Sequence, residues 1–161
     1  MAVKKDPSIG RVSVFVEASF DYSHFLPEND RCFPLHGHTS LVNLEINGEL
    51  LATGMVIDFI EAKRILKETL SLLDHKLVTN RANARSEGNG RITVSYKDFE
   101  FHLPMTQVFL LEGEATSESI ALAIAEKVIG RMPKNIASIK LTMTEGLRKG
   151  TVIRIKRSAK E

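Results

Sequence analysis

Three of the five histidines in the chain, and its only cysteine, fall in one short run: Ser23-His24, then Cys32-Phe33-Pro34-Leu35-His36-Gly37-His38. Thr39 to Gly48 is apolar and β-branched enough to be a strand, and a strand sends alternate side chains to the same face. His36 and His38 then form a pair, and His24, at the end of an earlier extended segment, can supply a third ligand. Three neutral imidazoles with one position left open make a catalytic rather than a structural zinc arrangement. Cys32 is read as a reactive group, because a closed three-histidine, one-cysteine shell leaves no place for a substrate oxygen; the spacing itself permits ligation. A nearby dication or imidazolium lowers a thiol from its usual pKa of about 8.5, giving a thiolate able to take a proton or attack carbon.

Two further places carry polar residues suited to a site. Asp74-His75 puts a carboxylate beside an imidazole it could orient or charge, although a histidine at a helix end is also favoured by the helix dipole. Glu118 and Glu145 stand at a helix start and a strand end, where a carboxylate either caps a helix or grips the guanidine-like edge of a heterocycle through two parallel hydrogen bonds.

The elements that must position these groups are legible in outline. Arg11 to Phe20 alternates as a strand, with apolar residues on both sides, so both faces are expected to be covered. Asn47-Gly48 suggests a tight hairpin into Leu50 to Val56. Asp58 is placed as the N-cap of a helix running to about Leu73, which delivers Asp74-His75 at its end. Asn80 to Gly90 has neither a helical nor a strand period and reads as a surface loop. Ile92 to Tyr96 and Phe99 to Leu103 read as two strands joined at Lys97-Asp98, with His102 a strand-face residue. Thr116-Ser117-Glu118 opens a second amphipathic helix that stops near Gly130, and Ile136 to Thr144 and Thr151 to Lys156 are two antiparallel strands. The strands and helices do not alternate as βαβ units, which points to α+β, with two helices on one face of an antiparallel sheet.

Length and charge set the outer bounds. At 161 residues and 43% hydrophobic, the chain is expected to form one domain with a real core. A net charge of +2 and a pI near 8.7 are too mild to imply a nucleic-acid partner, and the basic tail Lys156-Arg157 is expected to be solvated. One cysteine excludes an intrachain disulfide. No apolar run approaches membrane length, and the expected location is the cytoplasm.

Taken together, these residues resemble the 6-pyruvoyltetrahydropterin synthases and their relatives, the 6-carboxytetrahydropterin synthases of queuosine and archaeosine precursor synthesis. The resemblance runs from Phe20 to Ile155. Phe20-Asp21-Tyr22-Ser23-His24 is similar to the family's first zinc-histidine segment, and Cys32-x-x-x-His36-Gly37-His38 to its cysteine and two remaining histidines. The three-residue gap after Cys32 is closer to the carboxy-forming branch. Gly54-Met55-Val56-Ile57-Asp58-Phe59, Leu73-Asp74-His75, Ala115-Thr116-Ser117-Glu118 and Thr144-Glu145 match in order.

The resemblance implies a tunnelling fold (T-fold): a four-stranded antiparallel sheet with two helices, closing into a barrel by oligomerisation as a homohexamer of two trimers. It implies Zn2+ held by His24, His36 and His38, catalysis by Cys32 with Asp74 and His75, and sites between subunits. It places the substrate, 7,8-dihydroneopterin triphosphate, against Glu145 and the Thr116, Ser117, Glu118 segment. Arg31, Lys76, Arg148 and Lys149 are basic candidates for the triphosphate. The alternatives are the pyruvoyl product, a 6-hydroxymethyldihydropterin-forming enzyme, or a zinc-stabilised assembly protein without turnover. Three features depart from the family: Tyr22 where a small residue is usual, Lys76-Leu77-Val78-Thr79-Asn80 after the Asp-His pair, and an insertion from Arg81 to Phe101.

Overall fold

The structure, a computed structural model, describes residues 12–29 and 31–157. Arg11, the expected first residue of the opening strand, lies outside them. Nine strands and two helices are described: β1 Val12–His24, β2 His36–Gly48, α1 Phe59–Leu70, β3 Lys76–Asn80, β4 Ala84–Gly88, β5 Arg91–Tyr96, β6 Phe99–Pro104, β7 Val108–Leu111, α2 Ser117–Arg131, β8 Ile136–Thr144 and β9 Gly150–Lys156.

The four antiparallel strands expected from the sequence are β1, β2, β8 and β9, and they form one end of a six-stranded mixed sheet ordered β7-β3-β1-β2-β8-β9. β3 joins β1 in parallel, with Tyr22 opposite Lys76, and β7 joins β3 in parallel. Both helices lie on one face, where Phe20, Leu44, Ile46 and Leu141 meet Ile65, Leu66, Ile120 and Ile124 in the main core. The helix starts are chemically capped: the Asp58 carboxylate accepts from Ile60 N at 2.6 Å, and the Thr116 hydroxyl accepts from Ser119 N at 3.2 Å.

Several expectations need correction. The helix expected to reach Leu73 ends at Leu70, and a turn follows in which Leu73 N and Asp74 N both donate to Leu70 O and His75 takes φ 57°. No hairpin follows Asn47-Gly48, because β2 already has β1 on one edge and β8 on the other. The expected loop Asn80 to Gly90 contains the end of β3, a single 3-10 turn and β4. β4 is almost wholly exposed, so it needed no apolar period to pair with β5 through its backbone. β4, β5 and β6 make a separate three-stranded antiparallel sheet, with β5 and β6 joined as expected.

The outer face of β1 is not covered by any of the described residues. Phe15 is 62% exposed, with Leu41 and Val152 also exposed on that face among polar residues: Asn43 donates to Glu17 at 2.8 Å and Lys140 pairs with Glu45 at 3.1 Å. Arg157 is not solvated: its guanidinium donates to Ile129 O, Met132 O and Pro133 O at 2.7 to 2.9 Å, satisfying carbonyls at the end of α2. Among the described residues no helix is long and apolar enough to cross a membrane.

Leu44 is fully buried between the sheet and the helices, so Leu44→Ala is expected to cost about 2–5 kcal/mol of unfolding free energy. Asp58→Ala removes only a cap and is expected to cost about 1 kcal/mol. Urea midpoints at constant m-value check both.

Candidate active site

The β1–β2 register builds the first part of the site. Antiparallel pairing sets His24 opposite His36 and Tyr22 opposite His38, and even-numbered residues of both strands turn toward the core side. The three imidazoles therefore converge, with ring centroids 4.5, 5.0 and 5.2 Å apart, and one nitrogen from each lies within 4.8 Å of the others. Gly37 sits between the two β2 histidines, where a Cβ would come within 3.0 Å of Tyr22 O.

The outer ring nitrogens are held by carbonyls. His24 Nδ1 lies 2.6 Å from Ala115 O and His36 Nδ1 2.8 Å from Pro34 O; each Nδ1–H donates, leaving Nε2 with its lone pair free. His24 Nε2 is buried and has no hydrogen-bond partner. Burial pushes the His24 pKa below its ordinary value, aided by His36 and His38 and only partly opposed by the Ala115 carbonyl and Glu145. Burial likewise lowers His38 against the pull of Glu145. Three converging imidazoles, two of them oriented by carbonyls, with an orphaned buried nitrogen on His24, fit a zinc ion.

Glu145, at the end of β8, faces this cluster. Its Oε1 is 3.9 Å from His24 Nε2 and 4.0 Å from His38 Nε2, and its Oε2 is 3.2 Å from Lys149 Nζ. Gly146 follows at φ 72°, a turn conformation that suits glycine. Lys149 is thus engaged with the carboxylate, whereas Arg31, Lys76 and Arg148 are not drawn to this cluster by any ion pair among the described residues.

Tyr22 shares the same face and was signalled only as a family departure, although its i, i+2 relation to His24 places it here. Its ring is 5.3 Å from His24 and 5.8 Å from His38. The hydroxyl is enclosed without a completed hydrogen bond, and burial, together with the Glu145 carboxylate, pushes the phenol up to about 12.

The remaining expected residues fall in three places. Cys32, half-buried, lies in the loop between β1 and β2 and outside the group of converging nitrogens. Its N–H donates to Asn29 O at 3.0 Å and its carbonyl accepts from Leu26 N at 2.8 Å. Thr116 caps α2, directly after the carbonyl that holds His24; Ser117 is buried, with its hydroxyl 2.8 Å from that of Thr151; Glu118 lies in the first turn.

Asp74 and His75 sit elsewhere. The His75 Nδ1 is 3.0 Å from Asp74 Oδ1, and Asp74 also accepts from Asp21 N at 2.9 Å. That N–H, with His75 beside it, holds the Asp74 carboxyl below the ordinary range. Asp21, which the sequence did not single out, completes the cluster: its carboxylate is within 4.8 Å of both and accepts from the Thr39 hydroxyl at 2.5 Å. Asp21 and Thr39 are odd-numbered on their strands, so the Asp74-His75 pair lies on the side of the sheet opposite the three imidazoles. One chain does not bring the two halves of the expected site together.

The chain is similar to several known proteins. The family model described as 6-pyruvoyl tetrahydropterin synthase matches residues 13–156. A provisionally named 6-carboxy-5,6,7,8-tetrahydropterin synthase of Pyrococcus abyssi is 32% identical over 146 residues, 89% of each chain. The 6-carboxy-5,6,7,8-tetrahydropterin synthase of Haemophilus influenzae is 32% identical over 134 residues, covering 80% of this chain and 89% of that one. The solved 6-pyruvoyltetrahydropterin synthase of Plasmodium vivax superposes with a TM-score of 0.79 over 92% of this chain and 100% of its own, at 21% identity, which speaks to the shared fold. With a family match spanning nearly every described residue, the chain belongs to the 6-pyruvoyl tetrahydropterin synthase family.

Proposed function

We propose that the chain is a zinc-dependent lyase that converts 7,8-dihydroneopterin triphosphate to 6-carboxy-5,6,7,8-tetrahydropterin, a step toward the queuosine and archaeosine precursor. The observation that carries this reading is the convergence of His24, His36 and His38, with Glu145 about 4 Å away. The names of the relatives at 32% identity favour the carboxy-forming branch.

His24, His36 and His38 would hold zinc, which when bound would supply Lewis acidity that makes C–H protons beside a substrate side-chain oxygen more acidic. Glu145 accepts paired hydrogen bonds from the amino-pyrimidine edge of the pterin and fixes its orientation. The capped start of α2, at Thr116, Ser117 and Glu118, borders the same ring. Cys32 as thiolate takes the proton.

Asp74 and His75 face away from the imidazoles of their own chain, which supports a site completed by a second copy and, with it, the homohexamer. Asp74 orients His75, and His75 then relays protons for Cys32 of the neighbouring chain. The exposed polar face of the sheet, with Phe15 on it, is the surface that barrel closure would cover. The reaction is placed in the cytoplasm.

Three outcomes test this. Incubation with dihydroneopterin triphosphate is expected to yield acetaldehyde and free triphosphate with the 6-carboxy pterin by mass; triphosphorylated glycolaldehyde with the 6-hydroxymethyl pterin, or the 6-pyruvoyl product with free triphosphate, would replace the assignment. Cys32→Ala is expected to keep its metal and lose turnover by about 10²–10⁴-fold, while Glu145→Ala keeps metal and weakens pterin binding by about 10- to 100-fold. The third outcome concerns pH. In chelator-treated protein the unfolded chain protonates His24 near pH 6.5, while the folded chain does so only at lower pH. Between those values the unfolded state holds more protons, so stability falls as pH drops below about 6.5. Urea midpoints are expected to decline through that window, and less so in His24→Gln.

A further inference from the structure

The three-stranded sheet β4–β6 contributes nothing to the imidazole cluster, yet its hairpin end grips the loop that carries the only cysteine. That loop runs between His24 and His36 and holds no helix or strand among its described residues. Phe33, the residue after Cys32, packs against the hairpin, with its ring 6.0 Å from Tyr96 and 5.7 Å from Phe99. The Lys97 ammonium lies over both Phe33, at 5.3 Å, and Tyr96, at 5.2 Å.

The same hairpin holds the other limb of the loop. Phe25 meets Phe99 edge-on at 4.9 Å, and the Tyr96 hydroxyl donates to Glu28 Oε1 at 2.5 Å. Phe25 is itself buried in the small apolar cluster it shares with Leu77 and Val94. Residues on both sides of Cys32 are therefore tied to one hairpin, while Asn29 and Leu26 hydrogen-bond its backbone between them. A loop anchored only at its two strand ends would let the thiol wander, and a misplacement of about 1 Å can cost about 10²-fold in rate.

We propose that the β5–β6 hairpin is a clamp for the Cys32 loop, with Phe33, Tyr96, Phe99 and Glu28 as positioning residues that set where the thiol stands. Its effect on turnover rests on the reading of Cys32 as the proton-transferring group. Its effect on the thiol itself does not.

Because the chain has a single cysteine, iodoacetamide alkylation of the full-length protein reports on Cys32 alone. Tyr96→Phe removes only the hydrogen bond to Glu28, and Phe33→Ala removes the ring beside Cys32. In both, the alkylation rate is expected to rise several-fold, kcat to fall by about 10- to 100-fold in Phe33→Ala, and KM and metal content to stay at wild-type values, with Phe33→Tyr restoring both rates. Folded Phe33→Ala and Tyr96→Phe proteins that alkylate at the wild-type rate would overturn the clamp. Faster alkylation in variants with wild-type kcat, together with an active Cys32→Ala, would keep the clamp and remove the catalytic reading of Cys32.

Discussion

The pairing of β1 with β2 is the constraint on which the site depends. His24 stands opposite His36 only because the two strands run from Val12–Gly48 to that pair without a bulge. A slip of one residue would send either His24 or the His36 and His38 pair to the outer face and disperse the cluster. The register is fixed by the core beneath it, since the same even-numbered rows carry Val16 and Phe20 on β1 and Val42, Leu44 and Ile46 on β2. The hydrophobic effect that seats these residues thus also aligns the imidazoles, and core packing and site geometry are one property of the sheet.

Electrostatics reinforce that geometry. Placing His24 under the start of α2 buries it and spends its Nδ1–H on the Ala115 carbonyl, leaving a neutral ring with a single usable nitrogen. Tyr22 and Glu145 close the same space with a protonated phenol and a carboxylate. On the other side of the sheet, Asp21, Asp74 and His75 form a second polar cluster where the C-terminal turn of α1 meets the β1 edge. The two polar clusters lie on opposite faces of one sheet, and that separation is what the proposed site between copies rests on.

Much of this was legible in the residues. Alternation at His36-x-His38, the cap at Asp58 and the helix start at Thr116-Ser117-Glu118 are local signals, and each stands where spacing put it. What escaped the sequence depends on long-range pairing. β4 pairs through its backbone with exposed side chains, so no apolar period marks it. The parallel join of β3 to β1 decides that Asp74-His75 faces away from the histidines, and nothing within Leu73 to Lys76 encodes it. Arg157 looked like a solvated tail charge because its carbonyl partners lie 21 to 28 residues upstream. Tyr22 was within reach, since it sits two residues before His24 on the same strand face.

The most direct test is anomalous diffraction at the zinc edge from crystals of the protein purified without added metal. The account predicts one strong peak per chain, about 2.0–2.1 Å from Nε2 of each of His24, His36 and His38. A peak elsewhere, a peak that includes Cys32 as a fourth ligand, or ordered imidazoles with no peak between them would contradict it.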